Sequence, residues 1–476
     1  MRLVLASLTG LLILGATAAA PAQLSTRCLG KNATIVGTNS ADVIQGTVRR
    51  DVIAGLGGND TIDGLGAADT ICGGDGNDVI SPGDPGEGGY RVGSDVVSGD
   101  AGNDTFREGQ SFDSIVSFEQ APGPISVDLV TGRATGWGND RIERSFAVEG
   151  SPYSDSITGD NSINFLSGGA GDDRIVAADG QDFLDGGPGD DLLDGGKATP
   201  RSLRDGMEDF ADYSEAPRGI LVNLASGRVT GWGNDRLAGI EGIEGSRFAD
   251  RLLGGPRSDV FFGLAGDDVV LGRGAIDWLQ GGDGDDFLVG ADGRDTLQGD
   301  GVGRTGSGVS RPGNDRLRGG RGNDSLWGDG GRDRLEGGPG DDGLGGDPGN
   351  DAIDGGPGRD SANYEYAPRR VVASLASGRV LGWGQDRLVS IENLTGSRFA
   401  DRLFGSPRTD EIYGRDGADL VSGAGGNDAL FGEEGSDRIL GGQGRDTLDG
   451  GVGRDTLDGG PGRDRCTTGE RNRSCP

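Results

Sequence analysis

The chain has no histidine, only two lysines (Lys31 and Lys197), 5% aromatic residues and no long hydrophobic run after its first 22 positions. Without histidine there is no H-E-x-x-H zinc site and no Ser-His-Asp triad, and no G-x-S-x-G occurs either. A cysteine zinc site is not supported, because the four cysteines include no C-x-x-C pair. Carboxylates are everywhere, so residue type alone leaves a carboxylate-only glycosidase open. No non-repeat stretch is long enough for a separate catalytic domain, so the expectation is a protein that is not an enzyme. With 99 glycines and a net charge of -32 over 476 residues, composition alone would suggest disorder. The order in which these residues occur argues otherwise.

The first 22 residues read as a secretory leader. Arg2 gives a short positive start, Leu3 to Ala16 is an apolar run too short for a comfortable membrane span, and Ala20-Pro21-Ala22 is an A-x-A cleavage site. The expectation is therefore a secreted, extracellular chain with no membrane insertion once the leader is removed. Cys28, Cys72, Cys466 and Cys475 permit three pairings. Cys28–Cys72 and Cys466–Cys475 are favoured, since each pair is near in sequence and sits at one end of the array.

What is abundant is a nine-residue beat. Asp42, Asp51, Asp60, Asp69 and Asp78 are evenly spaced, and Asp95, Asp104 and Asp113 resume the count after an insert. Further blocks run from Asp155, from Asp250 and from Asp401 to Asp464. Two residues after nearly every aspartate stands an apolar side chain, as at Ile62, Leu193, Leu288 and Leu448. No helical period appears, and glycine at this density disfavours helices. Short strands between glycine turns fit, and stacking the units would merge single apolar residues into one thin core.

If two units make one coil, Asp446 lies one strand spacing, about 4.8 Å, from Asp464. Two such carboxylates repel by roughly 1 kcal/mol in water and by about 4 kcal/mol at an effective dielectric near 20. A divalent cation between rungs would reverse that sign. Aspartate and backbone oxygens in a flexible ring suit calcium better than magnesium, and zinc or copper would want histidine or thiolate.

The units GGDGNDVIS (Gly73–Ser81), GGAGDDRIV (Gly168–Val176), GGPGDDLLD (Gly186–Asp194), GGDGDDFLV (Gly281–Val289) and GGRGNDSLW (Gly319–Trp327) resemble the RTX, or haemolysin-type, calcium-binding nonapeptide G-G-x-G-x-D-x-U-x, where U is apolar. The resemblance implies an all-β fold, a parallel β-roll or β-solenoid with calcium in its turns. The expected metal ligands are Asp60, Asp69, Asp78, Asp104, Asp173, Asp182, Asp191, Asp268, Asp286, Asp295, Asp324, Asp333, Asp342, Asp351, Asp360, Asp428, Asp437, Asp446, Asp455 and Asp464. Asp42, Asp51, Asp155, Asp250, Asp259, Asp401 and Asp410 lack the glycine two positions earlier, replaced by Ser40, Arg49, Tyr153, Phe248, Arg257, Phe399 and Arg408. They are expected to be structural coils without metal. Arginine before the aspartate, as at Arg445, Arg454 and Arg463, departs from the family's usual Asn or Asp and would weaken affinity through its charge.

Three segments resemble one another: Phe118–Ile142, Tyr213–Leu237 and Tyr364–Leu388, each a hairpin signal with a tryptophan at Trp137, Trp232 or Trp383. They divide the chain into a leader (1–22), an N-terminal cap with the first repeat block (23–117), a first excursion (118–152), a second block (153–212), a second excursion (213–247), a third block (248–363), a third excursion (364–398) and a C-terminal block with a disulfide cap (399–476). Each excursion is either a projecting patch for a cell-surface or glycan partner, or a plug that packs over a break in the roll. The expected partner is calcium, with no nucleic acid. The function expected is a secreted calcium-binding repeat protein that folds on binding. The alternatives are a calcium-stiffened adhesin or envelope spacer, or an RTX-tailed carbohydrate-active enzyme.

Overall fold

The computed structural model describes residues 26–83, 95–107, 114–143, 145–197, 209–301, 311–468 and 471–475. The leader and Asp113 lie outside them. Among the described residues every regular element is a strand, and no helix is long and apolar enough to cross a membrane.

Each nonapeptide places a short strand just after its aspartate. Thr61–Asp63 follows Asp60, and Val79–Ser81 follows Asp78. Side chains alternate between faces of a strand, so only the middle residue of each triplet points inward. Ile62 faces Ile80 across a parallel register, and Leu448 faces Cys466. Consecutive triplets belong to opposite sheets, and triplets one coil apart pair. One sheet runs from Ile35–Val36 to Arg465–Thr467 with every pairing parallel, while the other runs from Val43–Gln45 to Arg471–Arg473. The inward residues form one continuous core in which Ile71, Leu193, Leu288 and Leu430 are fully buried. This is the all-β, parallel β-roll expected from the sequence.

The excursions are built into the second sheet. From Thr105–Phe106 the order runs to Asn139–Ile142, then Arg133–Thr135, then Ser126–Asp128, then Ser156–Thr158. Each excursion is therefore an S-shaped path with one antiparallel strand, after which the parallel ladder resumes; the other two repeat it. Trp137, Trp232 and Trp383 are partly buried and pack against the core. Of the two readings of these segments, this is the packing one.

Both favoured disulfides are present, Cys28–Cys72 and Cys466–Cys475. The first differs from an end cap. Ile71 fills the core, so its neighbour Cys72 faces outward, and the bond fastens the hairpin of Arg27–Cys28 and Lys31–Asn32 to the outside of the roll. The second holds the final strand near Asp464 at the C-terminal end.

Candidate metal centre

The turns hold the aspartates by a bond the sequence does not reveal. Along the repeat blocks Oδ1 accepts the backbone N–H of the aspartate one rung earlier: Asp60 donates to Asp78 at 2.7 Å, Asp78 to Asp104 at 2.8 Å, and Asp446 to Asp464 at 3.0 Å; where a block restarts after an excursion, Asp155, Asp250 and Asp401 accept from Ile125, Ile220 and Val371 instead. A column of carboxylates thus runs down each edge of the roll. The side chains are buried; Asp182 and Asp360 have no exposed surface. Beside this column runs a second one of glycine carbonyls. A Cβ on Gly102 would sit 1.5 Å from the Gly76 oxygen, and one on Gly444 would sit 1.5 Å from the Gly426 oxygen, so only glycine lets these rungs stack.

The second carboxylate oxygen separates two kinds of rung. In every expected metal ligand, from Asp60 to Asp464, Oδ2 is buried and accepts no hydrogen bond. The same holds for Asp277, Asp315 and Asp419, which lie on the beat but were not among the expected ligands, and for Asp329 beside it. The seven expected structural coils differ. Asp42 Oδ2 accepts the N–H of Thr38 at 2.6 Å, Asp250 that of Ser246 at 2.6 Å, Asp259 that of Gly255 at 2.7 Å and Asp401 that of Ser397 at 2.5 Å. Thr47, Ser151 and Ser406 serve Asp51, Asp155 and Asp410 in the same way.

The backbone four residues before the aspartate decides which kind forms. In every expected ligand that residue has a positive φ, whether glycine (Gly74, +102°; Gly442, +106°) or not (Leu56, +80°; Arg415, +73°, before Asp419). A positive φ turns the N–H away from its own aspartate; that of Gly320 goes to the Gly337 carbonyl of the next rung, 2.8 Å away. Thr38, Thr47, Ser151, Ser246, Gly255, Ser397 and Ser406 are absent from the positive-φ set and cap the carboxylate. Non-glycine residues held there carry strain of about 1–2 kcal/mol each.

An uncapped buried carboxylate is costly in its charged form. Burial pushes Asp104, Asp191 and Asp268 up to about 8 and Asp286 and Asp333 up to about 9, with neighbouring aspartates adding to the rise and the rung-to-rung N–H opposing it. This corrects the electrostatic expectation: loss of water, rather than mutual repulsion, is the larger cause. Among the described residues no three acidic side chains converge on one point. A cation held here must therefore draw on the stacked carbonyls as well as the open Oδ2 atoms. Oxygen-only donors of this kind suit a hard ion with a flexible shell.

The model of the RTX calcium-binding nonapeptide repeat matches residues 45–80, 92–107, 149–184, 167–198, 244–279, 271–301, 311–344, 346–362, 395–430 and 431–466, more than half of the chain. The chain belongs to this family. Its RTX repeats bind calcium and are structural units, not catalytic ones. No curated protein matches the chain at a significant level. The RTX matches leave most of each excursion uncovered, yet the excursions continue the carboxylate column. Asp140, Asp235 and Asp386 accept the N–H of Asp104, Asp191 and Asp351 at 3.0, 3.0 and 3.1 Å. Asp235 and Asp386 stand off the nine-residue count, while Asp140 falls three nines after Asp113 with no aspartate at the two beats between; the signal that could have found all three is the spacing of G-W-G-N-D and G-W-G-Q-D, the RTX G-x-G-x-D with tryptophan in the variable slot.

The RTX residue before the aspartate also has a defined task. Asn59 Oδ1 accepts the N–H of Asn77 at 2.9 Å, Asn77 that of Asn103 at 2.8 Å, and Asp341 that of Arg359 at 2.9 Å. Arginine has no acceptor. At Arg445 the next rung therefore loses this bond, independently of any effect of charge.

Proposed function

We propose that this RTX chain is an exported, calcium-dependent rod whose open rungs, from Asp60 to Asp464, ligate the ions and whose β-roll forms when they bind. The observation that carries this is the file of buried Oδ2 atoms without a hydrogen-bond partner. A buried polar atom left unsatisfied costs about 1–3 kcal/mol, more when charged. A roll with so many of them needs a cation to be stable, and binding free energy then becomes folding free energy. The chain's own residues supply the rest: glycine carbonyls face the same edge, and positive-φ residues keep competing N–H groups away. Calcium would supply the positive charge.

Export is supported by the leader-like first 22 residues and by two disulfides, which persist outside the reducing cytoplasm. Calcium abundant outside the cell would then start folding there. The test is far-UV circular dichroism of the leader-free chain during a calcium titration, with magnesium as control. A transition from disordered to β signal with calcium alone is expected. A full β spectrum in excess chelator would overturn calcium-driven folding.

A further inference from the structure

The three excursions share one backbone but differ in one hydroxyl. Tyr213 and Tyr364 are fully buried, and each donates its hydroxyl to the Oδ2 of the excursion aspartate, Asp235 or Asp386, at 3.0 Å. Phe118 holds the same place in the first excursion: its N–H bonds Glu149 as those of Tyr213 and Tyr364 bond Glu244 and Thr395, and its carbonyl accepts from Ala121 as theirs accept from Ala216 and Ala367. Its ring meets Phe106 edge-on at 6.5 Å and brings no donor to Asp140. Around all three aspartates the carbonyl column is the same. A Cβ on Gly138, Gly233 or Gly384 would lie 1.4, 1.4 or 1.3 Å from the oxygen of Gly102, Gly189 or Gly349. The preceding rung is also alike, since Asp104, Asp191 and Asp351 each keep a buried Oδ2 with no partner.

The geometry points to Asp140 as a further calcium ligand, paired with Asp104 at the first excursion, while the tyrosine hydroxyls close the matching rungs at Asp235 and Asp386. The tyrosine proton satisfies the oxygen that a cation would otherwise take, as the Ser and Thr caps do at the starts of the columns. The ion file of the first block then runs one position further than those of the second and third blocks. This rests on the reading that open rungs hold calcium.

Native mass spectrometry of the calcium-loaded chain counts the ions. Phe118→Tyr and Asp140→Asn should each lose one ion relative to the parent, Tyr213→Phe and Tyr364→Phe should each gain one, and Asp235→Asn should leave the count unchanged. Calcium bound in the parent but equal counts in Phe118→Tyr and Asp140→Asn would overturn this inference and leave the proposed function standing. No calcium on the parent would overturn both. Circular dichroism of each variant in calcium confirms the folded roll, and a Tyr213→Phe protein that is folded but gains no ion counts against the tyrosine as a closure.

Discussion

Asp401 and Asp419 are neighbours in one column, joined by a 2.7 Å bond from the Asp401 N–H to Asp419 Oδ1. They differ in the other oxygen. At Asp401 the Ser397 N–H reaches Oδ2 at 2.5 Å and the Ser397 hydroxyl reaches Oδ1 at 2.9 Å, whereas Asp419 Oδ2 is buried with no partner. The same residue type in the same column is thus finished by its own turn in one rung and left for something else in the next. Capped rungs open the blocks, at Asp42, Asp155, Asp250 and Asp401, and each gives its Oδ2 a hydrogen-bond partner from its own turn. Open rungs follow them and do not. The roll looks like a set of self-sufficient starts, each carrying a stretch that needs an ion.

The sharpest way to break this comparison is to delete one aspartate of each kind. Asp446→Ala should destabilise the calcium-loaded roll by about 3 kcal/mol, as loss of a buried charged partner does, and that loss should shrink as calcium is lowered, because the variant has fewer ligands for an ion to stabilise. Asp401→Ala should destabilise by about 1–3 kcal/mol to the same extent at every calcium concentration that folds the chain, because it breaks internal hydrogen bonds. Thermal melts over a range of calcium concentrations separate the two; parallel behaviour of the two variants would erase the distinction.

Acidity sharpens it next. In chelator the folded state holds the protons of Asp104, Asp191 and Asp268 up to about pH 8 and those of Asp286 and Asp333 up to about pH 9, against an ordinary 3.8. The contribution of these raised groups is fully present below pH 3.8 and is lost as pH climbs through the folded values. The calcium-free chain, disordered at pH 8, should therefore gain β signal as the pH falls toward 5. With calcium the trend should reverse, because protons displace the ions. A smaller effect is expected from Arg445→Asn, which restores an acceptor for the N–H of Arg463 and should stabilise the loaded roll by about 0.5–1 kcal/mol in a denaturant melt.

Much of this was written in the one-dimensional pattern. The beat placed Ile62, Leu193 and Leu448 in the core, and the seven exceptions were marked by a missing glycine two residues before the aspartate. The physical switch was not visible there. It lies four residues before, in the sign of φ at positions such as Leu56 and Arg415, which no preference for glycine would flag. Asp235 and Asp386 escaped because a count of nine skips them, and Asp140 because the two beats before it fall on Pro122 and Thr131, although all three have the right spacing within their Gly-Trp-Gly phrase. The Asn59–Asn77–Asn103 file was hidden for a different reason: its bonds join residues in separate coils and exist only once the coils stack. The repulsion argument left out the loss of water, since an isolated pair of charges carries no information about how deeply both are buried.

The central claim is that the unsatisfied Oδ2 atoms are where calcium sits. A crystal structure grown in calcium, with ions located by their anomalous scattering, tests it most directly. Ions should lie within coordination distance of Oδ2 along the open rungs, Asp428 to Asp464 among them, with none on Asp401 Oδ2 or Asp410 Oδ2. Ions seated equally on capped and open rungs, or open rungs filled only by solvent in ample calcium, would contradict it.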